Sequence, residues 1–443
     1  MKEQLLQAIE NKTARVVVLG LGYVGLPVAC LFAEAGFPVV GIRRNQQKVE
    51  MINRGECPIE GKEPGLAELL RRTVATGRLT ATTDYTTCRQ AQVVLIAVET
   101  PVDPDSKKPA YKALRGALTD LARHLSAGTM VVIESTIAPR TMELLVRPLL
   151  EEISGLKVND DFYLVNCPER VMPGKLLKNI RGCHRVVGGM NPDAAELAVR
   201  FYRHVVQADL DAVDCLTAEI VKTMENAYRD VQIAFANEMA LLCEDMGADV
   251  WQVRQLVNKS PFRDMHLPGA GVGGHCIPKD PWLLIANADN GFQPQIIPTA
   301  RAINESMPLH MAKLTADALQ AAGMQIDRSR VAVLGYAYLE NSDDTRNSPS
   351  ELLVARLREM GADLTIHDPW VPEHRGELLQ RLQGCDAAVL MVKHDQYRQL
   401  DLDQLRAALR HPILIDGRGV FDPAQAQAAG LIYRGVGHGN GRV

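Results

Sequence analysis

The chain has 443 residues, 47% hydrophobic and 23% charged, with a formal net charge of −4. This is the balance of a globular protein of two or three domains; it excludes a disordered chain and offers no basic face for nucleic acid. Nine scattered cysteines without a CxxC pair, a polar start and no apolar run near the roughly 20 residues of a membrane span point to the cytoplasm, with thiols kept reduced.

Residues 15–19 (RVVVL) read as a buried strand that breaks at Gly20-Leu21-Gly22-Tyr23-Val24-Gly25. An alanine-rich helical stretch follows to Ala35, Gly36 ends it, and residues 38–42 supply the next strand of a βαβ unit. Gly20, Gly22 and Gly25 fit GxGxxG in the setting that gives the motif meaning, after a strand and opening a helix. The first permits a tight turn, the second lets the backbone approach a pyrophosphate, and the third lets helix and strand pack. A turn with no ligand is the bland alternative; the flanks favour a dinucleotide at the helix N-terminus. The carboxylate that would hold the ribose hydroxyls of NAD should fall near position 43, where the run is Gly41-Ile42-Arg43-Arg44-Asn45. Arginine there accommodates a 2′-phosphate, so NADP stands beside NAD, with a solvated arginine pair as the alternative.

Residues 93–98 (VVLIAV) and 130–133 (MVVI) predict further buried strands, hence a parallel sheet covered on both faces. Residues 216–247 read as one helix of roughly 45 Å, suited to bridging domains or to an oligomer interface. On it Lys222 and Asn226 are spaced i, i+4 and share a face, with Arg229 close by. A solvated stripe is the plain alternative, but Val221, Ala227, Tyr228, Val231 and Phe235 surround these positions, where a partly desolvated lysine could serve as acid or base.

Residues 250–307 look mostly helical around a loop rich in Gly and Pro, and 268–280 (PGAGVGGHCIPKD) is the most informative stretch. Most of the cysteines, Cys30 and Cys243 among them, suit small buried hydrophobes. Cys276 differs. Its glycines leave the backbone open to a ligand, and His275 and Lys279 beside it favour the nucleophilic thiolate. A second α/β unit begins at 331–334 (VAVL) and Gly335, continues through a helix at 350–360 and a strand at 363–367, and closes with strands at 389–392 and 413–415. The stretch from Gly435 is expected to be loose. The fold class is α/β: two Rossmann-like doubly wound domains joined by a long central helix and a helical middle domain, divided as 12–207, 208–308 and 309–443.

Eight ordered motifs then carry a resemblance over nearly the whole chain: GLGYVGLP (20–27), ETP (99–101), EST (134–136), CPERVMPG (167–174), KTMENAYRDVQIAFANE (222–238), GVGGHC (271–276), SDDTRNSP (342–349) and DGRGVF (416–421). In these the chain resembles the UDP-glucose/GDP-mannose dehydrogenase family, and its CPERV and GGHC forms resemble the branch that oxidises UDP-N-acetylmannosamine or similar UDP-N-acetylhexosamines. The resemblance implies an NAD(P)-dependent four-electron oxidation of the sugar's C6 alcohol. Cys276 would capture the aldehyde as a thiohemiacetal, a second hydride transfer would leave a thioester, and water would release the uronic acid. By the same resemblance Lys222 and Asn226 stabilise an oxyanion or shuttle a proton, Asp280 and Thr136 position the hydrolytic water, and Glu169 is a candidate base. Tyr23, Val24, Thr100 and Thr136 would line the cofactor and Arg346 would reach it. Arg170, Val171, Arg229, Gly273, Tyr338 and Arg418 would contact the sugar nucleotide, Arg418 at its pyrophosphate. The resemblance further implies a homodimer through the long helix, no metal, and supply of surface-polysaccharide precursors.

Three positions depart from the family pattern: Arg43 in place of an aspartate, Leu339-Glu340 in place of Lys-Pro, and Phe262, with Arg263 beside it, in place of an arginine. Oxidation of UDP-glucose or UDP-N-acetylglucosamine is the alternative within the family. An ordinary two-electron dehydrogenase would not need Cys276 in a glycine-rich loop or a second nucleotide-binding domain. A non-catalytic nucleotide-sugar binder would have no use for Cys276, Lys222, Asn226 and Asp280 together.

Overall fold

The computed structural model describes all residues except 60, 62, 289, 290 and 440–443. The chain separates into two compact units, Met1–Glu225 with Trp282–Phe292, and Asn226–Pro281 with the chain from Gln293 onward.

The first unit is built on eight strands: β1 (Val16–Leu19), β2 (Val39–Ile42), β3 (Leu79–Thr82), β4 (Val93–Ile96), β5 (Met130–Ile133), β6 (Tyr163–Asn166), β7 (Arg185–Gly189) and β8 (Leu210–Asp214). Their order is β3-β2-β1-β4-β5-β6-β7-β8, whose first six positions follow the dinucleotide-binding doubly wound order. Side chains alternate between two buried faces: Val16 and Val18 pack into one apolar cluster, Val17 and Leu19 into another. The expectation of a parallel sheet holds for every neighbouring pair except β6 and β7, which run antiparallel. Antiparallel neighbours are joined at one end, so the connection 167–184, with the CPERVMPG motif, stays at the carboxyl end of the central strands. Open α/β sheets bind their ligands at that end.

The second unit contains β9 (Arg330–Leu334), β10 (Asp363–His367), β11 (Ala387–Leu390), β12 (Ile413–Asp416) and β13 (Ile432–Gly435), in the order β10-β9-β11-β12-β13 and all parallel. This is the 2-1-3-4-5 doubly wound order, with its switch point between β9 and β11. Val331 and Val333 face one cluster, Ala332 and Leu334 the other. Helices Val250–Val257 and Ile296–Ala321 belong to this unit as well.

The long helix runs Cys215–Met246, 32 residues, or about 48 Å. Gly247, at φ +78, takes the left-handed conformation that commonly ends a helix. Of the expected domain boundaries, 207/208 falls in the turn before β8 and 308/309 inside helix Ile296–Ala321, at Pro308. The stretch from Gly435 is not loose as far as Gly439. Val436 is fully buried, its carbonyl accepts the indole N–H of Trp251 at 3.0 Å, Gly437 N donates to Glu244 at 2.7 Å, and His438 pairs with Asp249 at 3.0 Å. Residues 440–443 lie outside the described residues. Among the described residues no helix is long and apolar enough to cross a membrane.

Candidate active site

In the first unit the glycine loop follows β1. Gly20 lies at φ +95, and a Cβ there would come 2.6 Å from the Ala97 carbonyl oxygen. At Gly25 it would come 2.0 Å from the Gly20 oxygen, so helix Gly25–Glu34 packs on the turn only because both are glycine. At Gly22 a Cβ would meet nothing within 4 Å, which leaves the backbone open where a pyrophosphate would approach. Tyr23 donates its hydroxyl to Glu63, which also accepts the backbone N–H of Gly174 at 2.7 Å, while Val24 is half-buried against the core. Arg43 follows β2; its N–H donates to Thr82 O at 3.0 Å and its guanidinium to the carbonyl of Leu21 inside the glycine loop. Burial lowers its pKa. Arg43 is thus half-buried and tied to the glycine loop at the end of β2, while its neighbour Arg44 is exposed.

Beyond β4 and β5, Thr100 Oγ1 donates to the carbonyl of Thr136 at 2.6 Å. After β6, the Glu169 carboxylate accepts the N–H of Val171, and Arg170 makes a two-pronged ion pair with Glu225 on the long helix. Lys222, on the same helix, is 8% exposed. Three groups here escaped the sequence reading: Arg185, which pairs at 3.5 Å with Glu134 of the EST motif, Tyr202, which donates to Glu134 at 2.7 Å, and Glu219, whose carboxylate accepts backbone N–H groups of Arg140 and Met142. The sequence signal for Arg185 was a charge beside an apolar run, and for Glu219 a charge three residues from Lys222; Tyr202 had none.

In the second unit Cys276 heads one helical turn: its carbonyl accepts the N–H of Asp280 at 2.9 Å. Asp280 is 1% exposed; its Oδ2 accepts from the side-chain amide of Asn226 at 2.6 Å and its Oδ1 lies 3.1 Å from Lys279 Nζ. Cys276 is exposed, whereas burial pushes the thiols of Cys30, Cys88 and Cys215 up to about 12. The expected contribution of His275 is corrected. Burial, then Lys279 and Arg346, lowers its pKa, so the positive charge near Cys276 comes from Lys279 and Arg346 rather than from an imidazolium.

The glycines of this loop are also reassigned. A Cβ on Gly273 would come 2.6 Å from Tyr338 Cβ, 2.7 Å from the Asn347 carbonyl oxygen and 2.8 Å from Pro349, and one on Gly274 would meet the Tyr338 ring at 2.7 Å. The glycines thus admit the loop that follows β9 rather than leaving the backbone open. Gly274 N donates to the Arg346 carbonyl at 2.9 Å, and Asn347 Nδ2 donates to the Gly274 carbonyl at 3.1 Å. The Arg346 guanidinium pairs with Asp344, and burial, with Asp344 second, raises the Tyr338 hydroxyl to about 12. Arg418 donates to the carbonyls of Met391 at 2.7 Å and Gly271 at 3.3 Å; burial pushes its pKa down to about 10.

On the long helix Arg229 is exposed, and so are Tyr228 (63%), Phe235 (53%), Leu242 (42%) and Met246 (71%). Tyr228 and Phe235 therefore do not bury the Lys222–Asn226 stripe but form a separate apolar face. Leu339 is partly exposed, and Glu340 pairs with Lys393 at 3.4 Å and Arg398 at 2.8 Å. Phe262 is fully exposed at φ +62, and Arg263 donates its guanidinium to the adjacent Pro261 and Phe262 carbonyls and its backbone N–H to Ser260 O at 3.3 Å.

A dinucleotide fold with an open glycine loop, and an exposed thiol one turn from a buried carboxylate, define a nicotinamide-dependent oxidoreductase. Three domains of the UDP-glucose/GDP-mannose dehydrogenase family match in order: the NAD binding domain over residues 14–206, the central domain over 216–306 and the UDP binding domain over 332–423. The chain belongs to this family. It is 39% identical over 426 residues to the UDP-N-acetyl-D-mannosamine dehydrogenase of Pyrococcus horikoshii, covering 96% of this chain and 100% of that one. It is 35% identical over 437 residues to the NDP-N-acetyl-D-galactosaminuronic acid dehydrogenase of Ralstonia nicotianae, covering 95% and 100%. The solved structure of UDP-D-ManNAc dehydrogenase from Pyrococcus horikoshii is similar to it with a TM-score of 0.90 at 38% identity, over 96% of this chain and all of the other.

Proposed function

We propose that this chain oxidises the C6 alcohol of UDP-N-acetyl-D-mannosamine, or of a related UDP-N-acetylhexosamine, to the uronic acid. The observation that carries the reading is Cys276, an exposed thiol with Lys279 and Arg346 as neighbouring cations, one helical turn from buried Asp280. A nicotinamide cofactor held at the glycine loop would supply the hydride acceptor, one oxidised cofactor for each of the two oxidations. Cys276 Sγ adds to the C6 aldehyde between them, so the aldehyde does not escape, and the second oxidation leaves a thioester on the same sulfur. Asp280 and Thr136 position the water that cleaves it, with Glu169 as a base. Lys222 and Asn226 stabilise the charge that develops on the C6 oxygen.

The open backbone at Gly22 fits a dinucleotide, with Gly20, Gly25, Tyr23, Val24, Thr100 and Arg346 as its other partners. Arg43, where a carboxylate would hold the ribose, lets the chain accept NADP as well as NAD. Arg170, Val171, Arg229, Gly273, Tyr338 and Arg418 serve the sugar nucleotide. Function divides along the chain as 12–207 for the cofactor, 208–308 for the catalytic loop and dimer helix, and 309–443 for the nucleotide sugar. The apolar face of Tyr228, Phe235, Leu242 and Met246, at helical spacing on one long helix, supports a homodimer. Nine unbridged thiols suit a reducing cytoplasm.

The test is the amount of reduced cofactor formed per UDP-N-acetylmannosamine consumed, run in parallel with NAD and NADP. Two equivalents with a uronic acid product are expected, and Arg43→Asp should shift preference toward NAD. One equivalent with an aldehyde product would overturn the covalent route, and an unchanged NAD/NADP ratio in the variant would remove Arg43 from cofactor choice.

A further inference from the structure

Glu219 sits near the start of the long helix Cys215–Met246 and is 2% exposed. Its Oε2 accepts the backbone N–H of Arg140 and its Oε1 that of Met142, each at 2.8 Å, from residues 79 and 77 positions earlier in the chain. Those amides open the π-type turn Met142–Val146 and helix Arg147–Ser154 behind it. The carboxylate thus does across the fold what an N-cap does locally: it satisfies N–H groups that a helix start leaves unpaired. Arg140 lies at φ +68, an uncommon conformation for a residue other than glycine, where the loop turns to present them.

The loop ahead of these amides is tied along its length. Ser135 Oγ donates to Val98 O and Thr100 Oγ1 to Thr136 O, both at 2.6 Å. Ala138 N donates to the Tyr111 hydroxyl and Asn287 Nδ2 to Pro139 O, both at 2.7 Å. On the helix side, Thr223 Oγ1 donates to the Glu219 carbonyl at 2.8 Å, and Lys222 follows Glu219 by three residues, the spacing of neighbours on a helix surface. Ionised or protonated, a carboxyl keeps an accepting lone pair on each oxygen for the two amides, whereas glutamine would turn an NH₂ toward one of them. Burial pushes the Glu219 carboxyl up to about 7 against those amides, so an acid is kept where its charge is disfavoured.

We infer that Glu219 is a positioning residue for the oxidation: it locks the Thr136 loop onto the helical turn that carries Lys222 and fixes the spacing of the two. Its effect on turnover rests on the reaction proposed above; the lock itself is a property of the first unit.

The experiment compares full-length wild type with Glu219→Gln. Reductive methylation followed by peptide mass spectrometry reads the reactivity of Lys222, and steady-state kinetics with UDP-N-acetylmannosamine separates kcat from KM. Lys222 should label at least about fivefold faster in the variant, with kcat down roughly tenfold or more and KM within about threefold. Unchanged labelling in a folded variant overturns the lock, and a raised KM with kcat held overturns the positioning role. If Glu219→Gln does not fold, Glu219→Asp, which keeps both acceptors one methylene short, decides by the same two readouts. Faster labelling in a protein whose wild type never turns over supports the lock while overturning the reaction.

Discussion

The side-chain amide of Asn226 donates to Oδ2 of Asp280 at 2.6 Å, with Asp280 1% exposed. The bond orients the carboxylate one turn from Cys276 and leaves its second oxygen beside Lys279, 3.1 Å away. A carboxylate so placed serves a water better than it serves a hydride. We predict that Asp280→Asn forms the thioester but hydrolyses it slowly, by about 10²- to 10⁴-fold, the range of general-base effects. Intact-mass analysis during turnover should show the sugar nucleotide accumulating on Cys276. Wild-type turnover without an adduct would remove Asp280 from the hydrolytic step.

The lowered pKa of His275, from burial first and then Lys279 and Arg346, makes a prediction about how the thiol is activated. An imidazole that is neutral at working pH cannot favour a thiolate by charge, whereas Lys279 can. His275→Gln should leave the pH midpoint of Cys276 alkylation by iodoacetamide in place. Lys279→Met should raise it, and with it the pH at which turnover reaches its plateau. A midpoint that moves with His275 and not with Lys279 would reverse the assignment.

Gly273 separates packing from ligand access. Its Cβ would meet Tyr338 Cβ at 2.6 Å, the Asn347 carbonyl at 2.7 Å and Pro349 at 2.8 Å, none of them the far end of a flexible side chain. Gly273→Ala must therefore push the loop away from the β9 turn, costing roughly 1–3 kcal/mol. Because Cys276 rides three residues further on, kcat should fall about a hundredfold, the penalty of a misplacement near 1 Å. The check is activity alongside melting temperature: a variant as stable and active as wild type would mean that the contact yields.

The element pattern was legible where burial writes a periodicity. Strands β1, β4, β5 and β9 are short apolar runs because both sheet faces are covered, and their runs were read within a few residues. Strand β8 (LDAVD) is an exposed edge and carries no such run, so it and the β6–β7 reversal went unread. Cys276, Asp280, Lys222 and Asn226 stood out by residue type and spacing. Glu219 did not, because its partners are backbone amides nearly eighty residues away, which no local pattern encodes. The glycines at 273 and 274 announced a close approach, but sequence cannot say whether a ligand or the Tyr338 ring does the approaching.

The exposed face of the long helix yields a prediction about assembly. Tyr228, Phe235 and Leu242 recur every seven residues, and Met246 lies four further on, one stripe of large apolar side chains in water. Placing a charge in the middle of such a stripe desolvates it on association. Phe235→Glu with Tyr228→Glu should therefore convert a dimer to monomer by light scattering, without lowering the helix content seen by circular dichroism. A wild type that is monomeric at high concentration would leave the stripe without a partner.

Glu219 sets a pH dependence of stability whose sign follows from its raised carboxyl. Burial, opposed by the amides of Met142 and Arg140, moves it from an ordinary 4.5 to about 7, and Glu143 adds to the rise. The folded state then holds this proton more tightly than the unfolded state. Its stabilising contribution is complete below about pH 4.5 and is lost as pH rises through about 7, a change of roughly 3 kcal/mol. Asp386, which burial would raise but Arg410, the Arg330 amide and His411 hold down to about 2, acts with the opposite sign and below that window. Melting temperatures measured from pH 4.5 to 8 should fall more steeply for wild type than for Glu219→Gln, which has no proton to lose. Parallel curves for the two proteins would mean that the Glu219 carboxyl ionises as it does in the unfolded chain, with its burial fully offset by the two amides it accepts.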